Sequence, residues 1–565
     1  SVAAFLTPRA TKDDVLLVAD SAPLSPPPLP VVEAAAPREL PKAAALELPD
    51  EDGVAGSNAF AVSGALTKSG AAILAGDPHL GLEMPVIWLP LRFVIAGRAA
   101  EGVALPGLPA LTIGRTDLIA WSFTNLGADV QDRYRERIEK GRARRGDGFE
   151  AVVERTETIR VRGAKDEALV VRSTSIGPLL ENDLALRWTA LDPANLRVPN
   201  ADFLRASDEA AALAAFDGFT GPPQNVVWAS ASGAIGWRPA GLLPIRREGT
   251  DGTTPYDGSE PANAWKGCVP MSELPRVVNP PEGIVVTANQ RTIGTSFGTF
   301  LSADWGHPGR ARRIRDLLLA RKAAGTRMTR EDAEAIQLDE QSETMRRTAA
   351  AMRAGLPADL AKALEGWDGK ADAGSPRYLV ARALRRAARE RALAAWGAPP
   401  LRWGLEGDNW NDLLEADDAA FRAAGLGPKD AFVARAAADA VAAIESREGK
   451  ERAKWSWGEA NRLAARHPLG MLPGLSWLFD PPRPRQSGAP GTPRVATPTF
   501  GQSLRFVVDW GAPEEATLVV PFGASGHVGS PHRLDELPFW RAGDPGGRAT
   551  RLARPPAGEP IRLTP

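Results

Sequence analysis

The 565-residue chain is 44% hydrophobic and 24% charged, a globular composition long enough for several domains or for one large domain with insertions. Its 68 basic and 69 acidic residues nearly cancel, so bulk charge calls for neither nucleic acid nor an anionic membrane as partner. A lone cysteine, Cys268, excludes an intrachain disulfide, and no apolar run reaches membrane-spanning length.

The chain begins at Ser1 without an initiating Met or a signal-peptide pattern, which leaves secretion neither read nor excluded. A short apolar stretch, Val15 to Val18, is the first candidate strand. Residues 21–50 follow, punctuated by Pro23, Pro26, Pro27, Pro28, Pro30, Pro37, Pro41 and Pro49. Proline lacks a backbone donor and fixes φ, so this stretch reads as an extended linker closed by Asp50-Glu-Asp-Gly53. A dense globular pattern then starts at Gly56-Ser57-Asn58. Strand-like runs occupy Phe60 onward, 72–75, 86–95, 111–113 and 118–124. At 158–162, Ile159 and Val161 alternate with Arg160 and Arg162, the pattern of a half-buried strand. Asn225–Trp228 and Ala234–Trp237 flank Ser230–Gly233 as a hairpin.

Helical patterns come late, over 309–323, 329–354, 376–396 and 427–447, with Thr329 and Asp332 placed as a capping box. The basic run Arg310-Ala-Arg-Arg-Ile-Arg315 reads as a solvated helix face. Strands return at 503–508 and 516–520. Strands, then helices, then strands imply an α+β layered architecture with the late strands rejoining the first sheet.

Three chemical patterns read as ordinary. Gly523-Ala-Ser525-Gly526-His527 approaches a nucleophile elbow, but His527 replaces the final glycine and the alternating strand–helix context is missing. The five histidines show no zinc-ligand spacing. Asp129 and Asp132 lie three apart in a loop, either a solvated turn or part of an oxygen-ligand cation site. The Gly56–Ser57 border suggests something sharper. If that bond were cut, Ser57 would carry a hydroxyl and an α-amine whose ordinary pKa is roughly 7.7–8.0, so that one residue would hold nucleophile and base. On the tripeptide alone, an ordinary Gly-Ser turn before a strand is the better reading.

Several segments then point the same way. Ser57-Asn58 opening a strand, Asp77-Pro78-His79-Leu80-Gly81, Ala120-Trp121-Ser122-Phe123-Thr124-Asn125 and Asp129-Val-Gln-Asp132 stand in order. Pro223-Gln224-Asn225-Val226, Thr287-Ala288-Asn289, Trp305-Gly306 through Arg310, Trp455-Ser-Trp-Gly458, and Gly523-x-Ser525-Gly526 leading to His532 and Trp540 follow. Together they resemble the penicillin acylase family of N-terminal-nucleophile hydrolases over 57–565. The resemblance implies a four-layer αββα fold with a helical insertion at about 309–450. It divides the chain into 1–56, the end of an α chain plus spacer, and 57–565, a β chain freed by autoproteolysis and paired with its own α chain as a heterodimer.

It also implies a periplasmic or secreted amidohydrolase acting on a small acyl amide such as a β-lactam or acyl-homoserine lactone, with no nucleic acid, membrane or catalytic cofactor. Ser57 would be the nucleophile. The Asn125 N–H and Asn289 side chain would hold the oxyanion, Arg310 would hold Asn289 and the amine, and His79 would orient Ser57. Leu80, Trp88 and Ile113 would line the acyl pocket. A structural calcium would take Asp129, Gln131 (through its carbonyl) and Asp132. Here the sequence departs from the family: the further acidic ligand expected before Trp305 is missing from Ser296–Leu301, and Asp304 is displaced along the chain. The competing functions are a non-catalytic binding protein on the same scaffold and an esterase using Ser525.

Overall fold

The computed structural model describes residues 2–6, 10–11, 13–24, 28–31, 56–95, 98–108, 110–195, 197, 199–398, 407–542 and 550–551. Most of the proline-rich stretch, including Pro37, Pro41 and Pro49, lies outside them. Six strands position the site: β1 (Gly56–Val62), β2 (Ile73–Gly81), β3 (Ile119–Asn125), β4 (Gln224–Ser230), β5 (Ile284–Thr287) and β6 (Arg505–Asp509). One seven-stranded sheet runs β5-β1-β2-β6, then Thr517–Val519 and Thr550–Arg551, with Phe500–Gln502 beside β2. The second runs Val277–Val278, Ile235–Ala240, β4, β3, Ile113–Arg115, Arg98–Ala104 and Leu89–Ile95. The late strands do rejoin the first sheet, as β6 pairs antiparallel with β2.

The period of two along β1 sorts its side chains. Ala59 and Ala61, with Leu74, Val285 and Phe506, share one apolar cluster with Ala120, Val227 and Trp237 of the second sheet. Small side chains let the sheets come close. At Gly76 on β2, a Cβ would lie 2.0 Å from Ser122 Oγ on β3, so this position admits only hydrogen. Phe60 and Val62, on the opposite face, pack with Ala311, Ile314 and Leu318 of α1 (Gly309–Ala323) and with Ala333 and Ile336 of the next helix. The far side of the second sheet places Trp121 and Trp228 against Phe203 and Phe216, with Trp121 stacked on Phe203 at 4.6 Å. A separate, mainly helical core gathers residues from Met345 to Ala489, and Phe5 reaches it edge-on to Trp396 and Trp410.

Three local expectations change. The helical pattern over 329–354 divides into Arg330–Gln337 and Glu343–Met352. Thr329 and Asp332 form the capping box of the first, and the Ser342 hydroxyl accepts from Met345 N to cap the second, so a new cap interrupts the apolar periodicity. The 158–162 alternation is not a half-buried strand. Val153–Ile159 pairs with Glu167–Ser173 as a two-stranded ribbon, and every residue of the first strand is exposed. The basic run is not a solvated face either: Arg312, Arg313 and Arg315 pair with Asp408, Asp339 and Glu282, and Arg310 turns inward. The hairpin expected around 230–233 is present, joining β4 to Ile235–Ala240.

Candidate active site

The site forms where several antiparallel strands begin or end. Ser57 is the second residue of β1. In the β1–β2 register, Gly56 stands opposite His79, Ser57 opposite Pro78 and Asn58 opposite Asp77. The Gly-Ser-Asn and Asp-Pro-His segments are thus one structure, read in opposite directions. On the other side of β1, Ala59 pairs with Thr287 at the end of β5, so Asn289, two residues on, reaches the level of Ser57. Asn289 adopts φ +70°, a left-handed conformation that asparagine tolerates better than most residues. Gly306 allows this turn to be braced. A Cβ there would lie 2.5 Å from the Asn289 carbonyl oxygen.

Ser57 N donates to Asn289 Oδ1 at 2.6 Å, and Ser57 Oγ lies 2.6 Å from the Gly56 carbonyl oxygen. Arg310, in the first turn of α1, donates from Nη1 to Ser57 O (2.8 Å) and Asn58 Oδ1 (2.6 Å), and from Nη2 to Asn289 Oδ1 (2.9 Å). Two donors on Oδ1 fix the orientation of the Asn289 amide and leave Nδ2 on the opposite side. That nitrogen donates to the Asn125 carbonyl at 3.3 Å, across the gap between the two sheets. Desolvation lowers the Arg310 pKa to about 10, still well above neutrality.

Around Gly56 the packing is close. A Cβ there would sit 3.1 Å from Arg310 Nη2 and 3.3 Å from both Asn289 Oδ1 and His79 Nδ1, so the residue before Ser57 is crowded by the same groups that hold Ser57. His79 is fully buried. Its Nε2 is 2.8 Å from Asp77 Oδ2, which assigns the proton to Nε2 and leaves Nδ1 a bare acceptor without a hydrogen-bond partner. Burial holds its pKa below 6.5 against the raising effect of Asp77, so the ring is neutral at neutral pH.

Residues the sequence did not single out complete the frame. Buried Asn58 links Arg310 to Asp77 through its two amide atoms, with Nδ2 also donating to Pro493 O. Asp77 further accepts from Gln502 Nε2 (2.8 Å) and Gln337 Nε2 (3.3 Å). Asn225 Nδ2 donates to Thr124 Oγ1 and to the Asn125 carbonyl, while its Oδ1 accepts from Trp237 Nε1 and Thr292 Oγ1. Thr124 Oγ1 and Thr287 Oγ1, 3.0 Å apart, join the sheets just below the site. Asn58 and Asp77 lay inside recognised segments, but Gln337 and Gln502 carried no local signal.

Behind Asn289, the N-terminal segment is tied on. Leu17 N donates to Thr292 O, Gln290 Nε2 donates to Val15 O, and buried Arg291 pairs with Asp14 and Asp20. The 15–18 stretch therefore contributes a single bridge, Val18 with Ile293, rather than a strand.

Of the residues expected to line an acyl pocket, Trp88 and Ile113 are buried and Leu80 packs on the same cluster, with Trp88 Nε1 fixed on Ser503 Oγ at 2.9 Å. Ser525 lies in a loop apart from this network; its N–H bonds the His532 carbonyl and its hydroxyl accepts from His527 N. Of Asp129, Gln131 and Asp132, the two aspartates meet a guanidinium: Asp132 Oδ2 accepts from Arg246 Nε and the Asp129 carbonyl from Arg246 Nη2, each at 2.9 Å.

Residues 6–546 match the family model described as penicillin amidase. The penicillin acylase 2 proenzyme of Pseudomonas sp. (strain SE83) is 31% identical over 527 residues, covering 86% of this chain and 66% of that protein. The acyl-homoserine lactone acylase QuiP of Pseudomonas aeruginosa is 29% identical over 571 residues, covering 87% and 66%. The chain thus spans just under two thirds of the length of these relatives. A thermostable penicillin G acylase from Alcaligenes faecalis superposes with a TM-score of 0.64 at 18% identity, covering 90% of this chain and all of the other, and so shares its fold. With a family match running over nearly its whole length, the chain belongs to the penicillin amidase family.

Proposed function

We propose that this chain is the nucleophile-bearing part of an amide-cleaving acylase, matured by cleavage of its own Gly56–Ser57 bond. The observation that carries the reading is the placement of Ser57 N against Asn289 Oδ1, itself held by Arg310, with Ser57 Oγ beside the Gly56 carbonyl. While the peptide is intact, the nitrogen lone pair is delocalised and cannot act as a base. In maturation, Ser57 Oγ attacks the Gly56 carbonyl carbon, the C–N bond breaks as the acyl group shifts from nitrogen to oxygen, and water hydrolyses the ester. The products are a Gly56 carboxylate and a free Ser57 amine.

The same oxygen then attacks a substrate amide. Its proton passes to the Ser57 amine through a water and on to the departing amine, leaving an acyl ester that water hydrolyses. Asn289 Nδ2 and the Asn125 N–H serve as oxyanion donors, while Oδ1 orients the amine. Neutral His79, anchored by Asp77, turns its acceptor nitrogen toward the Gly56–Ser57 segment.

Residues 57–565 act as the β chain and residues 1–56 as the end of an α chain with its spacer. The ion pairs of Arg291 with Asp14 and Asp20 support a heterodimer that outlives the cut. The two apposed sheets with helices packed on both outer faces support the four-layer αββα arrangement, with the helices from about 309 to 450 as its insertion. Leu80, Trp88 and Ile113 favour an apolar acyl group on a polar amine, the chemistry shared by a penicillin side chain and an acyl-homoserine lactone. A periplasmic or secreted location goes with such substrates. Among the described residues no helix is long and apolar enough to cross a membrane.

The test expresses the full-length precursor. Intact mass and N-terminal sequencing find a fragment beginning Ser-Asn-Ala-Phe, Ser57→Ala leaves the precursor whole, and Ser525→Ala leaves activity unchanged. A panel of penicillins and acyl-homoserine lactones, read by mass spectrometry, identifies the acyl group. Full amidase activity from a chain still joined at Gly56–Ser57 would refute the proposal.

A further inference from the structure

The calcium site that the family resemblance implies does not fit the residues present. Asp132, fully buried, gives both carboxylate oxygens to one arginine: Oδ2 accepts from Arg246 Nε at 2.9 Å and Oδ1 from Arg246 Nη2 at 3.2 Å. Trp265 Nε1 also donates to Oδ2. Arg246 Nη2 donates in addition to the Asp129 carbonyl oxygen at 2.9 Å and lies 3.9 Å from Asp129 Oδ2. The guanidinium therefore takes both carboxylate oxygens of Asp132 and the Asp129 backbone carbonyl, with the Asp129 carboxylate beside it. Its side chain is only 4% exposed.

The surroundings are adapted to a monovalent, planar cation. Phe300 stands in the very segment, Ser296–Leu301, where a further carboxylate was expected, and its ring centre lies 6.0 Å from Arg246 Cζ; Trp265 offers a second ring at 6.0 Å. An aromatic face attracts a guanidinium but cannot ligate a hard divalent ion, which needs several oxygens. Gly252 closes the remaining side, since a Cβ there would fall 2.5 Å from Asp132 Oδ1 and 3.3 Å from Asp129 Oδ2. Among the described residues no group of three or more His, Cys, Asp or Glu side chains is arranged to hold a metal.

We propose that Arg246 is a built-in replacement for the structural calcium, fastening residues 129–132, where the Gln131–Arg135 strand begins, to the 246–265 segment by a covalently attached cation. The planar fork supplies, toward Asp132 and the Asp129 carbonyl, the directional bonds that an ion would draw from several ligands, while its charge also faces the Asp129 carboxylate.

The experiment uses the full-length processed protein, with the terbium ion as probe. The wild type has the same unfolding midpoint in EDTA and in millimolar calcium, and carries no stoichiometric calcium by elemental analysis after gel filtration. Arg246→Ala lowers the midpoint, and millimolar calcium does not restore it, because the missing oxygen ligands are still missing; Arg246→Lys recovers part of the loss by returning a covalent cation. Neither wild type nor Arg246→Ala gives stoichiometric terbium luminescence on tryptophan excitation. A wild-type midpoint that drops in EDTA, one equivalent of retained calcium, or saturable terbium luminescence from the wild type overturns the proposal. So does a folded Arg246→Ala variant with the wild-type midpoint. Should that variant fail to fold, the wild-type measurements decide.

Discussion

Asn289→Asp tests the division of labour within one side chain. At φ +70°, alanine would add a backbone cost of about 1–2 kcal/mol, whereas aspartate tolerates the left-handed region nearly as well as asparagine. One carboxylate oxygen can keep both bonds now made by Oδ1, from Ser57 N at 2.6 Å and from Arg310 Nη2 at 2.9 Å. What disappears is the Nδ2 donor. If that donor stabilises the oxyanion, its loss costs about 2.7–4 kcal/mol, a fall in kcat of about 10²–10³-fold. KM should change little, because the bond matters only in the transition state. A second effect follows from charge. A carboxylate beside the Ser57 amine favours its protonated form, so the acid limb of the pH–rate profile should move to higher pH. Steady-state kinetics on acyl amide hydrolysis, normalised to cleaved chain by intact mass, measure all three. A variant with kcat near that of wild type, or a loss carried wholly by KM, would refute the oxyanion role.

Arg310→Lys replaces a fork that reaches three acceptors by a single point charge; losing one or two charge-assisted bonds at about 1.5–3 kcal/mol each should lower both kcat and the thermal midpoint, measured by kinetics and calorimetry. Because burial depresses the His79 pKa below 6.5, the unfolded chain binds more protons than the native one once the pH falls through 6.5, and stability drops until the native pKa is reached. His79→Gln should therefore flatten the acid side of the stability–pH curve between those two values; parallel wild-type and variant curves in urea denaturation would contradict the assignment. Gly76→Ala drives a methyl group to 2.0 Å from Ser122 Oγ; it should cost about 1–3 kcal/mol by overpacking, and Ser122→Gly should recover most of that in a double-mutant cycle.

What could be read from the sequence was what is locally encoded. The Gly-Ser-Asn strand start, the hairpin after Ser230, the helix over 309–323 and the Thr329 capping box all depend on neighbours within a few residues, and they stand where the pattern put them. The motif segments holding Ser57, Asn289 and Arg310 are brought within hydrogen-bond range, although composition alone would have left each of them an ordinary turn or surface residue. Gln502 and Gln337 were invisible because their meaning is a contact with Asp77 across 425 and 260 residues of chain. The Val153–Ile159 ribbon misled for a related reason. Alternation reports a pleat, and only tertiary packing decides whether anything covers one face. Arg246 was missed because the acidic pair at 129 and 132 suggested a cation without saying that the chain brings its own.

The frame explains how a peptide bond could be broken inside a packed site without dismantling it. Every pairing that fixes β1 beyond Ser57 lies downstream of the cut: Asn58 to Val62 against β2, and Ala59 to Val62 against β5. The Arg310 bonds to Ser57 O and Asn58 Oδ1 also lie on the retained side. Upstream, residues 13–20 are held not by the 56–57 bond but by Arg291, Thr292 and Gln290, immediately behind Asn289. Cleavage at Gly56–Ser57 would therefore free the segment nearest Gly56 while leaving anchored both the serine and the brace that steadies its partner asparagine. What changes is the electronic state of one nitrogen, from an amide that can only donate to Asn289 Oδ1 into an amine that can donate there and accept a proton as well. A crowded glycine at position 56 fits this economy. It stands among Arg310, Asn289 and His79, and under the proposed cleavage its departure would open that same space for the substrate's carbonyl group.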